Sequence, residues 1–345
     1  MKLGLVLGAG GTVGLAYHAG ALRALEQVAG LELDRADLVV GTSAGSVVAA
    51  YARSGWSTDA LWDIVATSEL PPAPESGAEL EGLPPLFRAA FRTPLDVVRR
   101  GLGSAYVISR TTFRAPLPAL PAPLRRAFPG GMFLMAEGRR RFESELPAAW
   151  PERPTWLCTV DIVSGRRVVL GRHRPPRLTL PQAVMASCAI PGAYPPVRYG
   201  RRELIDGGAH STTNLDLAAR DGCDVIIGVV PMAYRDEDPP GCLIRATRRL
   251  ANGALAREVA VARKRGAEVI LVRPSAAEAA QHGMNMMRSG DLGGLARAAY
   301  ESTARLAEDA QLQRVLGNGA GSGAIGAGGA GGAGQGRGRK PTTTL

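Results

Sequence analysis

Two stretches of this chain repeat one local design. Residues 2–8 (KLGLVLG) and 37–41 (DLVVG) are apolar runs without polar alternation, each closes on glycine, and each leads into a helical pattern. An unalternated apolar strand is buried on both faces, as in a mostly parallel sheet covered by helices on either side. The first helix is expected from about Val13 to Ala29, with Leu15, Leu22 and Leu25 recurring at helical spacing, and the second runs through Ala52. This β-α-β-α opening predicts an α/β fold of three layers, α/β/α, on a mainly parallel sheet. Later strands are expected at 156–163, 167–170, 202–206, 224–230 and 268–272, and helices at 58–68, 180–188, 244–265 and 291–315.

The 345 residues are read as one catalytic domain, 1–316, with an insertion at about 70–150 and a tail, 317–345. The tail is almost wholly glycine and alanine and is expected to be disordered, because it cannot bury enough surface to offset its ordering entropy. Between about 70 and 130, Pro84, Pro85, Pro116, Pro118, Pro121 and Pro123 predict irregular chain without long elements. The net charge of +10 is concentrated there: residues 84–141 hold eleven arginines against Asp96 and Glu137. Apolar and aromatic side chains threaded through that run (Leu86, Phe87, Phe91, Leu95, Val98, Leu102) suit peripheral contact with an anionic membrane better than nucleic acid, the alternative being a solvated face. No apolar stretch reaches the roughly 18 residues of a membrane span. The start lacks a signal-peptide pattern, so a cytoplasmic location is expected. Cys158, Cys188, Cys223 and Cys242 show no metal-binding spacing and are read as reduced and mostly structural.

Three motifs carry chemistry. Gly41-Thr42-Ser43-Ala44-Gly45 fits the G-x-S-x-G elbow, in which small neighbours let a strand turn sharply into a helix and expose the serine; the plainer reading is a serine capping the helix. Gly8-Ala9-Gly10-Gly11-Thr12-Val13-Gly14 sets backbone N–H groups at a helix start, where they can hold a phosphate or a transient oxyanion. A dinucleotide site would use this loop with Asp34, although Val13 stands where its fingerprint wants glycine. Leu204-Ile205-Asp206-Gly207-Gly208 presents a carboxylate at a strand end, and alone it reads as a turn aspartate. A right-handed crossover brings the first two turns to the same, carboxyl edge of the sheet. Of the four histidines, His18 is read as packing or capping and His173 as exposed; His282 would complete a Ser43, Asp206, His282 triad in α/β-hydrolase order.

In this order the three motifs resemble the patatin-like phospholipases, with Ser187-Cys188-Ala189-Ile190-Pro191-Gly192 through Tyr194-Pro195-Pro196 similar to that family's segment before its catalytic acid. The likeness runs from Lys2 to about Asp216. It implies hydrolysis of lipid acyl esters by a Ser–Asp dyad without metal or cofactor: Ser43 as nucleophile, Asp206 as base, and the N–H groups of Gly10 and Gly11 as oxyanion hole. Gly8, Gly14, Gly41, Gly45, Gly207 and Gly208 support these motifs. Ala9 replaces the first of three usual glycines, and Val13 stands where the family has a basic residue. Two other readings stay open: a weakly active or inactive relative that binds lipid or nucleotide, and the triad esterase.

Overall fold

The computed structural model describes residues 1–66, 88–113, 115, 117–235, 241–288 and 290–308. The expected tail, residues 67–87 and the end of the last expected helix lie outside them.

The chain opens with β1 (Leu3–Leu7), α1 (Gly11–Ala29), β2 (Leu38–Gly41), α2 (Ala44–Arg53) and α3 (Thr58–Ala66). The inserted region holds β3 (Arg88–Ala89), α4 (Pro94–Thr111), α5 (Ala122–Ala127), β4 (Phe133–Leu134) and α6 (Ala136–Glu145). The domain resumes with β5 (Thr155–Asp161), β6 (Arg167–Leu170), α7 (Leu180–Ser187), β7 (Val197–Tyr199), β8 (Arg202–Asp206) and α8 (Asp216–Arg220). It continues with β9 (Val225–Val229), α9 (Cys242–Lys264), β10 (Glu268–Val272), α10 (Ala276–His282) and α11 (Leu292–Ala307).

The main sheet runs β10-β9-β1-β2-β5-β8-β7, with β6 paired to β5. The five strands from β10 to β5 are parallel, whereas β8, β7 and β6 are antiparallel to their neighbours. Alternate strand residues feed two cores. Leu5, Leu7 and Val39 pack with side chains of α1, α2 and α7, while Val6, Leu38 and Val40 pack with those of α8 and α9. Both faces are therefore covered, as the unalternated runs predict.

Register decides what shares the carboxyl rim. Gly41 pairs with Leu157 in parallel, and Thr159 pairs with Asp206 in antiparallel. Asp206 thus stands two residues beyond Gly41, level with Ser43.

The expectation of an irregular insertion fails at α4, an 18-residue helix. Its prolines bracket the element instead of breaking it. Pro94 sits in the first turn, where its missing N–H costs nothing, and a Thr93–Asp96 capping box starts the helix.

Near the other end of the chain, α11 lies along α1 so closely that a Cβ at Gly20 would collide with the Ala296 carbonyl. Gly20→Ala is expected to lower stability in urea unfolding by about 1–3 kcal/mol. Gly101, in α4 with open space around its Cα, supplies the contrast: Gly101→Ala should raise stability by about 0.5–1 kcal/mol through helix propensity.

Candidate active site

The chain turns from β2 into α2 at Ser43, whose backbone sits at φ 54° and ψ −119°. A non-glycine residue there stores strain of order 1–3 kcal/mol, so its surroundings must hold it. Space is cleared by glycine: a Cβ on Gly45 would run into the Leu7 carbonyl, and one on Gly41 would lie 2.6 Å from Ser46 Cα. Hydrogen bonds then fix the turn. The Ser43 N–H donates to Ser187 Oγ at 3.1 Å, and Ser187 Oγ in turn donates to the Cys158 carbonyl at 2.7 Å. Ser46 Oγ lies 2.7 Å from both the Ser43 carbonyl and Ser187 Oγ. One buried hydroxyl on α7 thereby joins the elbow to the middle of β5.

The glycine loop is tied to the elbow through the Gly8 carbonyl. It accepts the Gly45 N–H at 3.1 Å and His18 Nε2–H at 2.8 Å. His18 is fully buried, and desolvation pushes its pKa down to about 4 against the smaller opposing effect of the Gly8 bond. At neutral pH it is an uncharged donor, so it orients the loop from behind. At the helix start, the N–H groups of Gly10 and Gly11 have no acceptor among the described residues, whereas the Val13 N–H is taken by the Met286 carbonyl. Gly11 adopts φ 58°, and a Cβ there would collide with Met286. Only glycine fits.

Asp206 ends β8, and its Oδ1 accepts the Gly208 N–H at 2.7 Å. The side chain is buried; desolvation pushes its pKa up to about 6, against the nearby Ser43 hydroxyl and the Gly208 N–H, which favour the anion. A Cβ on Gly207 would lie 2.5 Å from the Cys158 carbonyl, and one on Gly208 3.0 Å from Asp206 Oδ1 and 3.7 Å from Ala9 Cβ. The acid, the serine and the glycine loop therefore meet at one corner of the sheet. The Ser187–Ile190 segment runs between them, with the Asp206 N–H bonded to the Ala189 carbonyl at 2.9 Å.

The other sequence candidates lie elsewhere. His282 is buried at the end of α10, edge-on to Tyr17 at 5.5 Å between centroids, and it bonds neither Ser43 nor Asp206. Its pKa is lowered to about 3, first by burial and then by Arg248 and Arg288. His173 and His210 are exposed. Asp34 precedes β2 and so lies at the amino edge of the sheet, away from the glycine loop. A dinucleotide acid belongs at the opposite edge, so the geometry speaks against that cofactor reading. Val13 is fully buried among Val65, Leu292, Leu295 and Trp62, which explains an aliphatic residue where a cation was looked for.

Sequence reasoning misses four contributors: it names Ser187 and His18 without these roles, and Ser46 and Asn214 stand in no motif it reads. Asn214, at φ 59°, donates from Nδ2 to Thr42 Oγ1 at 3.0 Å and is itself held by Arg167 at 2.9 Å. The contacts of Ser187, Ser46 and Asn214 with the elbow cross more than a hundred residues of chain, for which local pattern carries no signal.

A mainly parallel α/β/α domain with a strained strand-to-helix serine at its carboxyl rim is the class this arrangement defines. The model of the patatin-like phospholipase family matches residues 5–219, well over half of the chain, and the chain belongs to that family. The family so described is one of phospholipases, enzymes that cleave lipid acyl esters. Among solved structures it is similar to VipD from Legionella pneumophila, at 13% identity and a TM-score of 0.44, over 89% of this chain and 66% of that one. This chain thus spans about two thirds of VipD's length. No curated protein matches it.

The raised pKa of Asp206 sets a stability trend. Below pH about 4 the carboxyl is protonated in both states; as pH rises towards 6 only the unfolded chain loses the proton, so stability falls. The differential is complete above pH 6 and, from 3.8 to about 6, amounts to about 3 kcal/mol. Urea unfolding should show Asp206→Asn gaining on the wild type between pH 4 and pH 8 by up to that amount. Ser187→Ala, which strands the buried Ser43 N–H and Cys158 carbonyl, should cost about 1–3 kcal/mol in the same assay.

Proposed function

We propose that this protein is a serine acyl hydrolase of lipid esters working through a Ser43–Asp206 dyad. The observation that carries the reading is the sheet register that levels Asp206 with Ser43, together with a carboxylate whose basicity is raised by burial. An ordinary aspartate is too weak a base for a serine hydroxyl; one pushed up to about 6 is better matched and still largely ionised at neutral pH.

In this mechanism Asp206 accepts the Ser43 proton as Oγ attacks the ester carbonyl. The N–H groups of Gly10 and Gly11 hold the developing oxyanion, each worth about 3 kcal/mol in acyl transfer. The proton passes to the leaving alcohol, giving an acyl-serine, and water activated by Asp206 releases the fatty acid. His18 holds the Gly8 carbonyl and with it the loop, and Ser187 holds the Ser43 backbone, so both position groups that touch substrate. No histidine takes part in proton transfer, which separates this reading from the triad esterase.

A fluorophosphonate should label the wild-type protein, with the adduct mapping to Ser43 by mass spectrometry. Ser43→Ala and Asp206→Asn should each lower kcat/KM for a short-chain nitrophenyl ester by about a thousandfold or more, whereas His282→Ala should retain activity. Activity should rise with pH through an apparent pKa near 6, following Asp206. Labelling at another residue, or loss of turnover in the His282 variant, overturns the dyad.

A further inference from the structure

We infer that the inserted helices α4 and α5 form a docking face for an anionic phospholipid bilayer, on the same rim of the sheet as Ser43. On α4, Leu95, Val98 and Leu102 follow one another at i, i+3 and i+7, and they are 65%, 58% and 57% exposed. The stripe is not scattered surface apolarity. Nine of the thirteen large hydrophobic side chains that stand exposed among the described residues fall between Leu95 and Leu134. Phe113, just past the end of α4, is 76% exposed, and Leu124 and Phe128 extend the face onto and beyond α5. Such a concentration on one insertion marks an interaction surface.

The charges beside the stripe select the occupant. Of the eleven arginines in residues 84–141, Arg125, Arg139, Arg140 and Arg141 pair with Glu203, Glu143, Glu137 and Glu145. Arg99, Arg100 and Arg110 donate to the backbone carbonyls of Ala127, Gly131 and Ile162, which anchors them without cancelling their charge. The guanidinium groups of Arg88, Arg92 and Arg126 pair with no carboxylate among the described residues. An aliphatic stripe flanked by uncompensated guanidinium groups matches the boundary between acyl chains and anionic headgroups. A nucleic-acid backbone would take the arginines and leave the stripe in water.

Placement brings this face to the site. Arg110 holds the Ile162 carbonyl just past the carboxyl end of β5, and Ser104 Oγ bonds the Gly192 carbonyl at 3.2 Å, in the segment that also carries Ser187. Beneath the stripe, Leu102 continues into a cavity of about 370 Å³ lined with Tyr106, Val107, Phe128 and Ile162, with Arg126 and Arg198 among its lining residues. An acyl chain lifted from the leaflet therefore meets an apolar recess. The docking face rests on this surface alone and does not require Ser43 to react.

The test is co-sedimentation of the full chain, as wild type and as Ser43→Ala, with vesicles of phosphatidylcholine containing 30% phosphatidylserine and with phosphatidylcholine alone. Both proteins should bind the anionic vesicles at least tenfold more tightly, with affinity falling as salt rises. Leu95→Gln with Val98→Gln, and separately Arg88→Glu with Arg92→Glu, should each weaken that binding at least tenfold while circular dichroism and soluble-ester turnover stay unchanged. Arg99 and Arg100 are avoided because they hold the insertion together. Unchanged vesicle binding in both double variants overturns the proposal, as does wild-type protein that sediments with neither vesicle. Tighter binding to duplex DNA than to vesicles, lost only in the arginine variant, reassigns the patch to nucleic acid. Vesicle binding without ester turnover removes the dyad and leaves the docking face standing.

Discussion

Ser43 is held where a serine does not rest by itself, and most of the surrounding architecture is arranged to keep it there. A backbone at φ 54° is tolerated because the glycines on either side remove competing atoms and because its N–H and carbonyl both find buried hydroxyl partners. The first partner, Ser187, ends α7 and reaches both the elbow and β5, and the second, Ser46, lies in the first turn of α2. The strain is local, but the structure resisting it spans residues from Gly8 to Asn214.

Burial acts in opposite senses on Asp206 and His18. For Asp206 it raises the energy of the anion, so the fold carries a destabilising carboxylate above pH 6. For His18 it removes the cation, which keeps Nε2–H a neutral donor to the Gly8 carbonyl over the physiological range. One desolvated corner therefore yields a stronger base and a quieter histidine. The stability lost at the acid is offset by the large apolar cores on both faces of the sheet, a division of labour typical of functional sites.

Much of this was legible in the sequence because the informative features are local. Strand, glycine turn and helix recur within a dozen residues, so β1, β2 and the two turns could be read directly, and the parallel crossover put both turns at one edge. Asp206 was harder: an Asp-Gly turn is common, and only its order after the other motifs singled it out. The register that levels it with Ser43 links Gly41 to Leu157 and Thr159 to Asp206, which local pattern does not encode. Helix α4 is hidden for a different reason. The number of prolines points to irregular chain, whereas their positions leave a clean capped stretch between Thr93 and Thr111.

Val13 shows how a departure in one motif is answered by a distant segment. A cation at that position would point into the cluster formed by Val65, Leu292 and Leu295, where desolvation without a partner is strongly unfavourable. Leu292 and Leu295 belong to α11, and Met286, whose carbonyl takes the Val13 N–H, lies just before it. All three fall beyond residue 219, where the family match ends. The C-terminal helices are thus part of the glycine loop's support, and the valine packs as one unit with the helix that covers it. The loop leaves the N–H groups of Gly10 and Gly11 without an acceptor among the described residues, while its outer flank is held by apolar contacts.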